Sequence, residues 1–431
     1  MKTFSVMTLG CKVNSYESEG IINDLISHGY LLKKFNEICD IYIINTCTVT
    51  SMSDQKSRHM IRNAKKRNPD AVVVAMGCYT QLLPNQAIEL ADIVLGTNNK
   101  LACFDEINNY LINKDKILHL TDVLSQPTYE DMKINNLNTH TRGFIKIQDG
   151  CENYCSYCAI PYSRGKIRSR NPESIINEIK ELVASGTKEV IISGINTGTY
   201  GQDLKNINLA KLIERIMEET SLFRLRMSSI ELKEISDELL DIIKKYEDRI
   251  AHHFHIPLQA GSDTVLKRMN RKYNMAEYKD IIRKIRSLFG NVALTTDILA
   301  GFVGETEAEF KELLTNLKEI NFYEMHVFPY SKRMGTKAYD MEGHIDEKIK
   351  DERSHILLDL SKEMRKNYID EQIHQVFSII VENKKNGYYH GHTSNYLDVY
   401  FKSDEELVPN SIVNVEIIDY IDDVIYGKVV K

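Results

Sequence analysis

Three cysteines fall within eight residues in the run Cys151-Glu-Asn-Tyr-Cys155-Ser-Tyr-Cys158, a C-x3-C-x2-C spacing that directly follows an apolar, strand-like stretch. A structural zinc ion takes four ligands, often from paired C-x2-C knuckles. Three thiolates in one loop suit three corners of a cubane iron-sulfur cluster and leave one iron open to a small molecule. A zinc site or an inert cysteine cluster is the alternative reading of the same residues. Cys11, Cys47 and Cys78 lie apart in sequence, each within a few residues of the carboxyl end of a strand-like run. Open α/β sheets place ligands at that edge, so three loops would converge on one site. Taken alone, such cysteines are more often small buried hydrophobes. Cys39 and Cys103 match no motif and are read as structural.

The elements that would position these thiols follow from periodicity. Over residues 3–95, short apolar runs (3–9, 41–45, 71–76, 93–95) alternate with helix-like segments (16–27, 54–67), the rhythm of a parallel α/β sheet. A weaker, Asn- and Thr-rich stretch follows. A second series then places strands near 144–148, 189–193, 224–228, 253–256, 292–298 and 324–328, alternating with amphipathic helices such as 172–185, 237–246 and 307–320. A full or partial β/α barrel is the economical architecture. Beyond a long polar helix ending near residue 375, short Val-, Ile- and Tyr-rich strands separated by turn residues predict a small β-barrel. The expected division is 1–105 for the first α/β domain, 106–139 for a connector, 140–372 for the β/α barrel and 373–431 for the small β-barrel.

With 431 residues, 42% hydrophobic and 27% charged, the chain reads as a globular protein of several domains. It has no apolar run of the ~20 residues a bilayer requires. The amino terminus has no export signal, which makes a cytoplasmic location and reduced thiols the expectation. Eight cysteines then point to metal or catalysis rather than disulfides. A net charge of −6 argues only weakly against RNA, since a local basic face suffices.

The cysteine run, with Tyr157 before its last member, resembles the radical S-adenosylmethionine (SAM) superfamily. The resemblance extends over nearly the whole chain and points to the methylthiotransferases. The words Thr8-Leu-Gly-Cys11-Lys-Val-Asn-Ser-Tyr-Glu17, Asn45-Thr-Cys47-Thr-Val-Thr50 and Gly194-Ile-Asn-Thr-Gly-Thr-Tyr-Gly201 are similar to the bacterial branch that acts on threonylcarbamoyladenosine in tRNA. The resemblance implies two [4Fe-4S] clusters, one on Cys11, Cys47 and Cys78, the other, catalytic, on Cys151, Cys155 and Cys158. In the family the open iron of the second chelates the methionine end of SAM, whose cleavage yields a 5′-deoxyadenosyl radical. That radical abstracts hydrogen from C2 of adenine 37, and the methylthio group assembled at the first cluster is transferred to the carbon. Tyr157, Gly194, Asn196, Ser229, Glu231, Gln259 and Asp297 are the implied cofactor contacts. Asp297 opens a segment that resembles the glycine-rich adenosyl-contacting stretch, with Val303 where the family usually has proline.

The implied partners are a tRNA anticodon loop bearing threonylcarbamoyladenosine, an electron donor and a sulfur source, with no membrane. Lys56, Arg58, Arg62, Lys65, Lys66 and Arg67 form one basic helix, a solvated face or a phosphate contact. Arg164, Lys166, Arg168 and Arg170 form a second basic group on which a tRNA stem is expected. The carboxyl-terminal domain resembles TRAM, an RNA-binding β-barrel, through residues 387–396, although its acids outnumber its bases. His252, His253 and His255 are expected to have packing or polar roles. The alternatives are isopentenyladenosine or an aspartate of ribosomal protein S12 as substrate, and a non-catalytic zinc RNA-binding protein.

Overall fold

The computed structural model describes residues 1–125, 128–134 and 142–430. The first domain is a six-stranded parallel sheet in the order β2-β1-β3-β4-β5-β6, with β1 Thr3–Thr8, β2 Leu31–Leu32, β3 Ile41–Thr46, β4 Val72–Gly77, β5 Ile93–Leu95 and β6 Ile117–His119. Every residue of β3 and β4 is buried, as parallel strands covered on both faces require. Helices α1 (Lys12–Ser27), α2 (Ser51–Arg67), α3 (Cys78–Leu82), α4 (Pro84–Leu90) and α5 (Cys103–Asn113) surround the sheet. Strand β6 and most of α5 fall within 106–139; residues 126–127 and 135–139 of that stretch lie outside the described residues.

The central region is a partial barrel. Strands β7 (Gly143–Lys146), β10 (Glu189–Ser193) and β11 (Arg224–Met227) form one parallel triplet, and β12 (His253–His255), β13 (Ala293–Ala300) and β14 (Glu324–Pro329) another. Isolated bridges Leu225–Ile250 and Ser229–His255 join the triplets. A short antiparallel pair, β8 (Gln148–Asp149) and β9 (Arg168–Ser169), brackets the cysteine loop and α6 (Ile160–Arg164). The outer layer is α7 (Pro172–Ala184), α8 (Leu209–Glu219), α9 (Asp237–Lys245), α10 (Asp263–Arg268), α11 (Met275–Phe289), α12 (Glu307–Ile320) and α13 (Glu347–Asp370). Asn274 with Glu277 and Thr306 with Glu309 form capping boxes that start α11 and α12. Helix α1 packs against β7, so the first domain sits on the edge strand of the partial barrel.

Strands β15 (Val376–Lys385), β16 (Tyr388–His392), β17 (Asp398–Lys402), β18 (Ile412–Ile421) and β19 (Val424–Val430) close into a barrel in the order β15-β16-β17-β19-β18. No helix among the described residues is long and apolar enough to cross a membrane.

Candidate active site

Strands β1, β3 and β4 are neighbours, and a cysteine follows each: Cys11 caps α1, Cys47 follows β3 and Cys78 opens α3. Two glycines permit the approach. A Cβ on Gly10, at φ +97°, would stand 2.7 Å from Cys47 Sγ, and one on Gly77, at φ +109°, would stand 2.7 Å from the Thr46 carbonyl oxygen. The Asn14 amide donates to the carbonyls of Leu9 (2.6 Å) and Thr46 (3.0 Å), tying the first two loops together. Burial pushes the Cys47 thiol up, and Cys78 and Cys11 add to that shift, so the three thiols act on one another. Cys11 is surrounded by protein yet open to solvent through a cavity.

Behind Cys78 lies a buried ionic network that corrects one expectation. Arg164, Arg168 and Arg170 are not an RNA-facing surface: their exposures are 0, 3 and 0%. Arg170 pairs with Glu178 and with Asp131 (2.6 Å). The Arg164 Nε donates to Cys78 Sγ (3.2 Å), while its Nη1 reaches Glu17 (2.6 Å) and Asp149 (3.2 Å). Lys100 and Lys146 pair with the same Glu17, and Lys146 and Arg168 with Asp149. Burial alone would raise the Glu17 carboxyl; Arg164, Lys100 and Lys146 together hold it well below the ordinary range.

The second cysteine set sits on the loop between β8 and α6. Gly150, at φ +76°, would meet the Lys166 carbonyl if it carried a Cβ, and the Cys151 N–H donates to the Gly165 carbonyl (3.0 Å), closing the loop at its base. The Cys158 N–H donates to the Cys155 carbonyl (2.9 Å). Burial pushes Cys151 and Cys158 up to about 12, with Cys155 contributing to both. Arg271 donates to Cys155 Sγ (3.4 Å) and forks onto Glu231 (3.1 and 2.5 Å). Helix α6 runs from this loop to Arg164, so six residues after Cys158 the chain touches Cys78 of the other set.

A cavity of about 560 Å³ joins the two domains, with Gly10, Cys11 and Lys12 on one wall and Gly194, Ser229, His255, Asp297 and His326 on the other. Three expected cofactor contacts, Gly194, Ser229 and Asp297, are thereby brought together. A Cβ on Gly194 would lie 2.8 Å from Gln148 Oε1, which also accepts the Asn196 N–H (2.9 Å). The Asn196 Oδ1 is buried without a partner. Gln259 adopts φ +69° and donates its N–H to the Asp297 carbonyl (2.8 Å). Glu231 stands apart, with Arg271 beside Cys155. Tyr157 packs its ring edgewise on Phe302 at 6.2 Å. Cys39 and Cys103 are each 1% exposed within apolar clusters.

Sequence reasoning missed Lys12, Arg271, His326 and Tyr396. The signal for His326 was alternation: His255, Asp297 and His326 share the inner face of three adjacent strands. Tyr396 was not readable as a cavity residue because it arrives from the carboxyl-terminal barrel. Arg226 donates to the carbonyls of Thr393 (2.9 Å) and Ser394 (3.1 Å) and lies 4.7 Å from the Tyr396 ring centre, while His253 stacks on that ring at 5.0 Å. The carboxyl-terminal barrel is thus part of the cavity wall. Burial, then Arg226 and Arg142, lower the Lys12 ammonium to about 8.

Both cysteine sets fit iron-sulfur clusters better than single ions. Four thiolates about 2.3 Å from one zinc ion lie about 3.8 Å apart. Among the described residues, the ligand triplets that gather within 4.8 Å are His255–Asp297–His326 and His390–His392–Asp398; neither cysteine set is so tight. Charge agrees at the first set: among the described residues, buried Lys100, Lys146, Arg164 and Arg168 pair with two buried carboxylates, Glu17 and Asp149, with Glu130 also near Lys146 and Lys100, a surplus that thiolates of an anionic cluster would balance.

Comparison with known proteins agrees with this geometry. Residues 145–317 match the Radical SAM superfamily, and residues 3–96 match the Uncharacterized protein family UPF0004. The chain is 41% identical over 426 residues to the threonylcarbamoyladenosine tRNA methylthiotransferase MtaB of Bacillus subtilis, covering 97% of this chain and 94% of that protein. The chain belongs to the radical SAM methylthiotransferase family, in its MtaB branch. The MtaB of Thermotoga maritima is 38% identical over 85% of the chain and 84% of that protein. A tRNA-2-methylthio-N(6)-dimethylallyladenosine synthase of Clostridium botulinum is 35% identical over 84% of the chain and 82% of that protein. The fold is shared with the radical SAM methyltransferase TsrM of Kitasatospora setae, at TM-score 0.57 and 15% identity over 79% of this chain and 75% of that one. The methylthiotransferase is therefore an enzyme whose cofactors are [4Fe-4S] clusters and SAM.

Proposed function

We propose that the enzyme converts N6-threonylcarbamoyladenosine at position 37 of tRNA to its 2-methylthio derivative, in the cytoplasm, with an external electron donor and sulfur source. The observation that carries this reading is the single cavity with Cys11 in one wall and Gly194, Ser229 and Asp297 in the other. When bound, the cofactors would supply a 5′-deoxyadenosyl radical and a methylthio group, chemistry that no side chain performs on an unactivated C–H bond.

In this reading Cys151, Cys155 and Cys158 hold the catalytic cluster, and Cys11, Cys47 and Cys78 the second. Arg271 and Arg164 donate to a sulfur of each set and place a guanidinium charge beside it. Gly194, Asn196, Ser229, Glu231, Gln259 and Asp297 are assigned to SAM; Gly194 leaves backbone room, and the unpartnered Asn196 Oδ1 offers an acceptor. Tyr157 supports the loop through Phe302. An anticodon-loop base enters without opening a duplex. The exposed Lys56, Arg62, Lys66 and Arg67 of α2 are the phosphate contacts of this reading. The functional units are 1–105, 140–372 and 373–431, joined by 106–139 with its edge strand β6.

The test is expression in a bacterium lacking its own threonylcarbamoyladenosine methylthiotransferase, followed by mass spectrometry of digested tRNA. The 2-methylthio nucleoside should appear and vanish with Cys155→Ala or Cys47→Ala. Folded, cluster-loaded protein that yields none would move the substrate to the isopentenyl nucleoside or ribosomal protein S12.

A further inference from the structure

The cavity is electrically lopsided. Asp297 and Glu324 lie on its β13–β14 side, Asp297 within 3.3 Å of His255 Nε2. The opposite wall carries Lys12, with Arg226 and Arg142 nearby. Both arginines are already committed: Arg226 to Glu189 (2.9 Å), and Arg142 to Glu382 (3.2 Å) and Glu189 (3.8 Å). Lys12 takes part in no ion pair or hydrogen bond among the described residues, although it lines the cavity directly beside Cys11. A largely enclosed ammonium next to two guanidinium groups is a costly arrangement unless an anion joins it.

The candidate nucleosides differ at this point. The threonylcarbamoyl substituent ends in a carboxylate, whereas an isopentenyl substituent is an uncharged hydrocarbon. We propose that Lys12 is a specificity-determining residue whose ammonium binds the carboxylate of the threonylcarbamoyl group. This rests on the substrate reading above. Asp297 and Glu324 repel the carboxylate from the far wall, so attraction and repulsion both orient the substituent toward α1.

The test uses the cluster-loaded enzyme and two anticodon stem-loop RNAs, one bearing threonylcarbamoyladenosine and the other the matching threoninamide, which has the same shape without the charge. Wild type should favour the carboxylate in kcat/KM by about ten- to a hundredfold, the range for a charge-assisted hydrogen bond. Lys12→Met and Lys12→Gln should bring that ratio close to one, with the loss falling on KM, and Lys12→Arg should retain most of it. Fluorescence anisotropy of the same RNAs should show the same change in relative affinity without turnover. A wild-type ratio near one, or a ratio kept by both neutral variants at wild-type iron content, overturns the assignment of Lys12 and leaves the substrate reading standing. Wild type that methylthiolates neither RNA overturns the substrate reading and this proposal together.

Discussion

Replacement of Glu17 by Gln would keep the shape of the side chain and remove one of two carboxylates from the network that ties α1 to the barrel. Glu17 is 1% exposed and faces Lys100, Lys146 and Arg164, of which Lys100 and Arg164 are wholly buried. After substitution Asp149 would keep Lys146, Arg164 and Arg168, and Lys100 would lose its ion-pair partner among the described residues. Breaking a buried ion pair from one side costs about 3–5 kcal/mol, because the partner charge remains and cannot be solvated. For a unit of 150–250 residues each kcal/mol lowers Tm by about 2–4 °C, so a fall on the order of 10 °C is expected in the first transition. The same change leaves Arg164 less firmly aimed at Cys78. Anaerobic thermal unfolding would give the Tm, and iron analysis should show the chain falling from about eight iron atoms toward about four as the first cluster is lost. A variant within about 2 °C of wild type with its full iron complement would refute the claim that this network supports the Cys11–Cys47–Cys78 centre.

Gly10→Ala should lower iron by a similar amount while the barrel centre still cleaves SAM, because the added methyl meets Cys47 Sγ at 2.7 Å and the φ of +97° strains any L residue; unchanged iron content would contradict this. His253 is buried against Tyr396, and burial, then Arg226, hold its pKa well below the usual value. The unfolded chain therefore binds a proton below about pH 6.5 that the folded one rejects, so His253 contributes no penalty above that pH and costs up to about 1.4 kcal/mol per unit below it. Denaturant unfolding between pH 7.5 and 5.5 should show a shallower acid loss for His253→Phe, and identical slopes would count against the assignment.

Residue type and local spacing made both cysteine sets legible. The C-x3-C-x2-C run needs only one loop, and the other three cysteines follow strands whose apolar runs mark them as parallel and buried. The basic run 164–170 was misread for a physical reason: charge in a sequence says nothing of burial. The partners of Arg164 include Glu17, 147 positions away, and Arg170 reaches Tyr16, 154 positions away, as well as Glu178 on α7. The small β-barrel was legible from its strands and turns, but its role in the cavity was not. Tyr396 reaches His253 because Arg224 and Arg226 grip the backbone of a domain about 170 residues further on.

By itself, then, the sequence determined the element types, the two thiol sets and the chemistry they suit, because these depend on neighbours a few residues apart. Tertiary structure decided which charges are buried as counter-ions, which glycines let sulfur loops meet, and that three domains share one cavity. Those outcomes depend on pairs brought together across 100 residues and more, where only packing and the cost of isolating a charge choose the partner.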